Sequence, residues 1–483
     1  MSPLTSPSSH RRTKIIATVG PASREPETLR ALIEAGADVF RLNFSHGNAV
    51  DHAENVRRIR EAAELTGKWV GILGDLPGPK LRLGDVENGR VRVADGTELV
   101  LTTETCHGSA SRLSVAWDGL PGAVALNDPI FLADGRIRLR ALEIGDKEVR
   151  CAVEAGGSVS SHQGVNLPQS SSGMPATGAA DMDWVEFAID RQVDMLAVSF
   201  VRSAADLAPI RERLIEAGST IPLIPKIEKP QAAQNAEEII LAVTGGVMVA
   251  RGDLGIELPI ETVPSVQKRL IRLAGKHARP VITATQMLAS MVDSDRPTRA
   301  EVTDVANAIY DGTDAVMLSE ETAIGANPVE AVRVMDRIAR ETERDLPYDD
   351  WLLNRVDGKI GGRDDVASSV AQGAVAATYR LGLAAIVVPT RSGRTARLVS
   401  ALRPRVPVLA ISPQRETVNR LNLLFGVQCA YHGEWPELRD LLEHSARISR
   451  EVGIAKAGDL VAITAGLPDQ DLGTNLFEVH RVP

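Results

Sequence analysis

The sequence predicts an α/β chain: a (β/α)8 TIM barrel with an inserted small β-barrel lid domain and a C-terminal α/β domain. Three observations carry that expectation. Apolar runs of the buried-strand kind alternate with helix-length segments through most of residues 14–345. Eight of those runs end in polar or charged residues, near positions 19, 43, 75, 199, 228, 253, 285 and 319. Only the gap between 75 and 199 breaks the period, and short alternating runs split by Gly, Asp and Asn fill it, the texture of an antiparallel β insert. A doubly wound sheet would be hard pressed to place polar ends on all eight strands.

In chain order, strand 14–19 leads into the turn 20–23, where Ser23 is a candidate cap for a helix over 25–35 that Gly36 ends. Strand 38–43, a helix over about 50–65 and strand 70–75 complete the first barrel part, residues 1–84. The insert spans 85–174, with runs such as Arg90-Val-Arg-Val, and leaves through the Ser/Gly hinge Pro168-Gln-Ser-Ser-Ser-Gly173. The second barrel part, 175–345, carries a helix over 182–190 and strands 195–200, 222–228, 246–250, 280–285 and 315–319. A polar linker, 346–365, precedes the third domain, 366–483. There a helix over 366–380 and strand 384–388 are followed by the loop 390–394 and a helix over 395–402. Strands 406–411, 460–464 and 475–482 and helices over 416–425 and 436–452 complete it.

With 54 basic and 63 acidic residues the net charge is -9, and no basic run suits nucleic acid. Residues 1–12 read as a ragged Ser/Pro-rich tail without a signal peptide's apolar core. No run reaches the roughly 20 apolar residues of a membrane span. Cys106, Cys151 and Cys429 lie too far apart for a Cys-x-x-Cys pattern or a disulfide framework, so a reducing cytoplasm is expected.

The stretch Ile221-Pro-Leu-Ile-Pro-Lys-Ile-Glu-Lys-Pro230 carries the most chemistry. Lys226 and Glu228, two apart on a strand, project from the same face at its mouth. Alone they fit a structural ion pair. Asp253, one strand–helix–strand unit later in Arg251-Gly-Asp-Leu-Gly255, adds a second carboxylate on a neighbouring strand end. Two carboxylates beside a lysine suit a hard divalent metal and a phosphate. Separately, Thr390-Arg-Ser-Gly-Arg394 opens a helix after a strand, where amides, hydroxyls and arginines suit another phosphate, or where Ser392 simply caps the helix.

Long motifs then tie the chain to a family. Thr18-Val-Gly-Pro-Ala-Ser23, Arg41-Leu-Asn-Phe-Ser-His-Gly47, Pro225-Lys-Ile-Glu228, Arg251-Gly-Asp-Leu-Gly255, Ala284-Thr-Gln-Met287, Arg296-Pro-Thr-Arg-Ala-Glu301 and Met317-Leu-Ser319 resemble those of the pyruvate kinases. The resemblance covers nearly the whole sequence and implies phosphoryl transfer from phosphoenolpyruvate to ADP, giving pyruvate and ATP. It implies Mg2+ or Mn2+ on Glu228 and Asp253, and Lys226 and Arg41 on the phosphoryl group. It places Gly252 and Asp253 amides and Ser199 near substrate, and Thr285 where the enolate is protonated. Ser319 and Glu321 would support that shell. Asn43, Ser45, His46 and Arg82 would lie around the nucleotide phosphates. Asn43, Ser45 and Asp75 match ligand positions of the family's monovalent cation. The loop 390–394 (Thr390, Arg391, Ser392, Gly393, Arg394) matches a loop that holds a phosphate of an allosteric effector. A homotetramer is the usual assembly. Thr298 reads as a helix cap and Met287 as core; His46 fits a structural hydrogen-bonder as well as a ligand.

The chain also departs from the family. Lys80 stands where the K+-requiring branch has Glu, and Leu76 and Leu83 replace hydroxyl residues that accompany it. Its ammonium is expected to substitute for K+. Pro77 matches neither family branch, and Ala180 stands where a nucleotide-facing lysine is usual.

Overall fold

The computed structural model describes residues 10–79, 81–133, 135–167, 175–351, 366–433, 438–466 and 473–483. Lys80, the hinge 168–174 and residues 352–365 of the expected linker lie outside them.

Eight parallel strands close into a barrel in sequential order: Lys14–Thr18, Val39–Asn43, Gly71–Asp75, Met195–Val198, Leu223–Ile227, Val247–Ala250, Val281–Ala284 and Ala315–Leu318. Ala17 pairs with Leu318 to close the ring. The strands are apolar on both faces because both faces are covered. Ile16, Val39, Leu73, Ile224, Met248 and Ile282 fill the interior, while Ile15, Phe40, Leu42, Ile72 and Leu196 pack under the outer helices. Local chemistry sets the helix limits. Asn48 Oδ1 accepts from the amides of Val50 and Asp51 to start the helix Ala49–Thr66, and Gly67 ends it in the left-handed conformation at φ 63°.

The insert begins with the strand Leu81–Arg82, which pairs with Gly164–Asn166, so the lid starts a few residues before 85. It holds a seven-stranded sheet and a two-stranded ribbon around one apolar core. Its named strands pair antiparallel except for Glu98–Thr102 with Arg112–Ser114, which run parallel, as does the isolated bridge Val86 to Gly108.

The third domain has a five-stranded sheet. Its edge strand Val427–Tyr431 was not expected, and the helix before it stops at Leu421, short of 425. The reason is tertiary: Leu423 leaves the helix to fill the bottom of the barrel interior. The domain docks on the barrel's amino-terminal face. Arg403 Nη1 meets Asp314 at 2.8 Å, Asn419 Nδ2 meets Asp194 Oδ1 at 3.1 Å, and Lys14 Nζ donates to the Val427 carbonyl.

Two boundary expectations need correction. Arg11 and Arg12 are not tail. Arg11 pairs with Asp38 and Asp336, and Arg12 is buried with its amide on Glu343. Nor is 346–351 free linker, since Leu346 and Tyr348 are buried in the barrel's outer core. Long-range partners settle both cases, and short-range sequence texture cannot show them.

Candidate active site

The catalytic-end loops gather a row of alternating charge. Lys226, near the end of the fifth strand, places Nζ 2.9 Å from Ser199 Oγ, 3.4 Å from Glu228 Oε2 and 3.5 Å from Asp75 Oδ1. Ser199 in turn donates to the Leu76 carbonyl at 2.7 Å. Arg41 Nε donates to the other Asp75 oxygen at 2.6 Å, and its Nη1 to Thr18 Oγ1 at 3.3 Å. Asp253 lies within electrostatic reach of both Lys226 and Glu228. Arg41, Lys226, Glu228 and Asp253 therefore share one site.

The electrostatics follow from burial. The Glu228 side chain is 1% exposed, and desolvation pushes its carboxyl up to about 7; Asp253 and Asp75 add to the rise while Lys226 opposes it. Burial alone would also raise Asp75, yet Lys226 and Arg41 outweigh it and hold Asp75 below the usual carboxylate range. Burial would lower Lys226, but Asp75, Glu228 and Asp253 outweigh it and keep the ammonium charged. Glu228 Oε1 accepts from the Phe200 amide at 2.6 Å, whereas Oε2 is buried with no hydrogen bond. A buried carboxylate oxygen of that kind, next to a second carboxylate, suits a divalent cation whose remaining ligands are water and substrate oxygens. Among the described residues no group of three or more His, Cys, Asp or Glu is placed to hold a metal ion, so an ion here would rest on two carboxylates.

Around Asp253, Gly252, Ile256, Thr285, Ser319 and Glu321 help line a cleft of about 350 Å³. The Gly252 amide donates to Thr285 Oγ1 at 2.7 Å, and that hydroxyl donates to the Ala284 carbonyl. The Gly252 amide, expected to meet substrate, is thus engaged by Thr285. Glu321 accepts from the amides of Leu288 and Ser319, bracing the loops after the seventh and eighth strands, and Ser319 Oγ is buried without a partner. Phe200, Thr285 and Gln286 hold φ of 55°, 70° and 53° at the ends of the fourth and seventh strands. Such conformations cost about 1–3 kcal/mol each, most plainly for β-branched Thr285, and concentrate where function requires them.

The other expected residues spread outward. Asn43 faces Asp75 in register and accepts from the Ser45 amide, while Ser45 and His46 are exposed. The His46 carbonyl is within 2.8 Å of His52 Nε2, a bracing residue the sequence reading missed. Arg82 sits on the lid and donates to the His162 carbonyl, and Ala180 is exposed on the helix Ala179–Asp190. Ser23 does not cap the next helix: it accepts from Gly20 N and donates to the Thr18 carbonyl, because the helix begins at Pro26 beyond its reach. Thr298 does cap, closing a reciprocal pair with Glu301, and Met287 is buried. In the loop 390–394, Thr390 Oγ1 accepts from the Gly393 amide, Gly393 has φ 75°, and no cap bond comes from Ser392. Asp181 and Asp304 also went unread. Asp181 accepts from Gly78 and Gly178 amides, and Asp304 holds Arg251 at 2.7 Å. Gly178 is local to Asp181, but Gly78 and Arg251 lie far away in sequence from the carboxylates they meet, so no local signal marks those contacts.

A barrel whose strand ends present this charge row, covered by a lid and backed by a second α/β domain, belongs to the class of (β/α)8-barrel phosphotransferases. The family model "Pyruvate kinase, barrel domain" matches residues 10–332 and "Pyruvate kinase, alpha/beta domain" matches 368–480. The pyruvate kinase of Thermococcus litoralis is 41% identical, over 98% of this chain and 99% of its own. That of Mycobacterium tuberculosis is 41% identical, over 98% of both chains. A crystal structure of a pyruvate kinase from Cryptosporidium parvum superposes with a TM-score of 0.93 at 34% identity, over 98% of this chain and 96% of its own. The chain belongs to the pyruvate kinase family.

Proposed function

We propose that phosphoryl transfer from phosphoenolpyruvate to ADP, giving pyruvate and ATP, runs on the row formed by Arg41, Lys226, Glu228, Asp253 and Thr285. The observation that carries this reading is the Lys226 ammonium, held charged between Asp75 and Glu228 and aimed along the strand ends. Phosphoryl transfer asks mainly for positioning and charge neutralisation. Lys226 neutralises charge on the moving group and on the enolate, and Arg41 holds the group from the second strand. Glu228 and Asp253 would hold Mg2+ or Mn2+, which supplies further charge neutralisation when bound. Thr285, a weak acid already bonded to Ala284, passes a proton from water to the enolate carbon. ATP formation should stop when the divalent cation is chelated and return with added Mg2+ or Mn2+; turnover indifferent to chelation contradicts the reading.

Nucleotide phosphates meet Asn43, Ser45, His46 and Arg82, and K+ is not required. The loop 390–394 takes a phosphate of an allosteric effector, with the Gly393 turn and its exposed Ser392 supporting that use. On the sequence of 433–455, which offers no evident second phosphate motif, the effector is a sugar or nucleoside monophosphate rather than fructose 1,6-bisphosphate. Activation by the bisphosphate alone, in a titration at low phosphoenolpyruvate, contradicts that preference. The assembly is a homotetramer.

A further inference from the structure

Directly after Glu228 stands Lys229, and four residues after Asp253, on the same helix face, stands Glu257. Lys229 Nζ lies 2.5 Å from Glu257 Oε1, with side-chain exposures of 15% and 1%. This buried pair therefore joins the segments that carry the two expected metal ligands.

The same pair neighbours both segments that connect the lid to the barrel, the outbound one through Phe200. On the return strand, the buried Asn166 side chain lies within electrostatic reach of the Glu257 carboxyl, whose Oε2 is buried without a hydrogen bond. On the outbound segment, Gly78 packs so closely on the Phe200 ring that a β-carbon there would sit 2.7 Å from it. The Lys229 ammonium lies over that ring, 5.7 Å from its centre. The Phe200 amide holds Glu228 Oε1. A third lid contact ends on the same helix, where a β-carbon at Gly135 would rest 3.4 Å from Ile256.

We infer that Lys229 and Glu257 form a positioning pair that seats the lid's two connecting segments against Glu228 and Asp253, so that lid placement and metal-ligand geometry are set together. The inference rests on Glu228 and Asp253 being the metal ligands. A pair placed behind metal ligands acts on affinity through their orientation, at roughly 10–100-fold per partner lost. Breaking one partner also leaves the other charge buried, so the two residues behave as a unit.

The test uses the full chain with Lys229→Met, Glu257→Gln, the double variant and the charge-keeping Lys229→Arg. Mn2+ binding without substrates is read by electron paramagnetic resonance, and hydrogen exchange follows the amides of 164–166. Each single variant should weaken Mn2+ binding about tenfold, raise KM more than it lowers kcat, and speed exchange at 164–166. The double variant should be no worse than the weaker single one, and Lys229→Arg should recover most of the binding. Wild-type Mn2+ affinity and KM in variants that merely melt earlier overturn the inference. Glu228→Gln and Asp253→Asn serve as controls: if they too leave Mn2+ binding intact, the metal reading itself fails, and the inference with it.

Discussion

Glu228 is the residue whose environment most constrains the chemistry. Its carboxyl is ordinarily near 4.5 and burial raises it to about 7. A carboxyl raised on folding stabilises the protein only while it is protonated. That contribution is complete below the ordinary value and is lost as pH climbs through about 7. A divalent cation needs the carboxylate, so metal affinity should rise across the same window, with a proton released on binding. Calorimetric Mn2+ titrations in buffers of different ionisation heat measure that proton; affinity that is flat across the window would contradict the assignment.

Lys80 makes the second residue-scale claim, on sequence grounds. A tethered ammonium and a bound K+ close together would repel by several kcal/mol at an effective dielectric of about 20. The enzyme should therefore run at full rate with a bulky tetraalkylammonium as its only monovalent cation, and Lys80→Glu should slow it and create a K+ response. A many-fold gain of the wild type on KCl at constant ionic strength would refute this. At this scale the strand-end residues were legible because their motifs are long and specific. Asp181, Asp304 and the partnership of Lys229 with Glu257 were not, because each depends on a contact made across the fold.

Among the elements, the barrel strands were legible from apolar runs with polar ends, and their limits moved by only a residue or two. Helix starts were less so. Ser23 and Thr298 both have a cap's chemistry, yet only Thr298 meets the amide of the third helical residue, with Glu301 returning the bond. Thr298→Ala should cost about 1 kcal/mol of stability and leave KM unchanged, as thermal melts and steady-state kinetics would show. A drop in kcat with no change in melting would instead give Thr298 a part in the chemistry. The edge strand Val427–Tyr431 escaped because the break at Asn422–Leu423 is dictated by the barrel floor, which no local propensity encodes.

In the whole molecule, the third domain closes the barrel floor while the charge row sits at the opposite end. Arg403 anchors that floor. It is 3% exposed, pairs with Asp314, donates to the Gly312 carbonyl and lies over the Phe425 ring. Removing one partner of a buried pair costs about 3–5 kcal/mol. Arg403→Met should melt well below the wild type, and Asp314→Asn in the same chain should recover part of the loss; a melting point unmoved by Arg403→Met would show that the docking rests elsewhere. The insert was legible from the one broken βα period and the third domain from the polar stretch before it, whereas the docking face was not, since it is made of residues that meet only in space. The most direct test of the account is ATP formation from phosphoenolpyruvate and ADP by Lys226→Met, measured beside its Mn2+ binding. Turnover should fall by several orders of magnitude, as follows removal of a transition-state charge stabiliser, with Mn2+ still bound by Glu228 and Asp253. Turnover near that of the wild type would contradict the role given to Lys226.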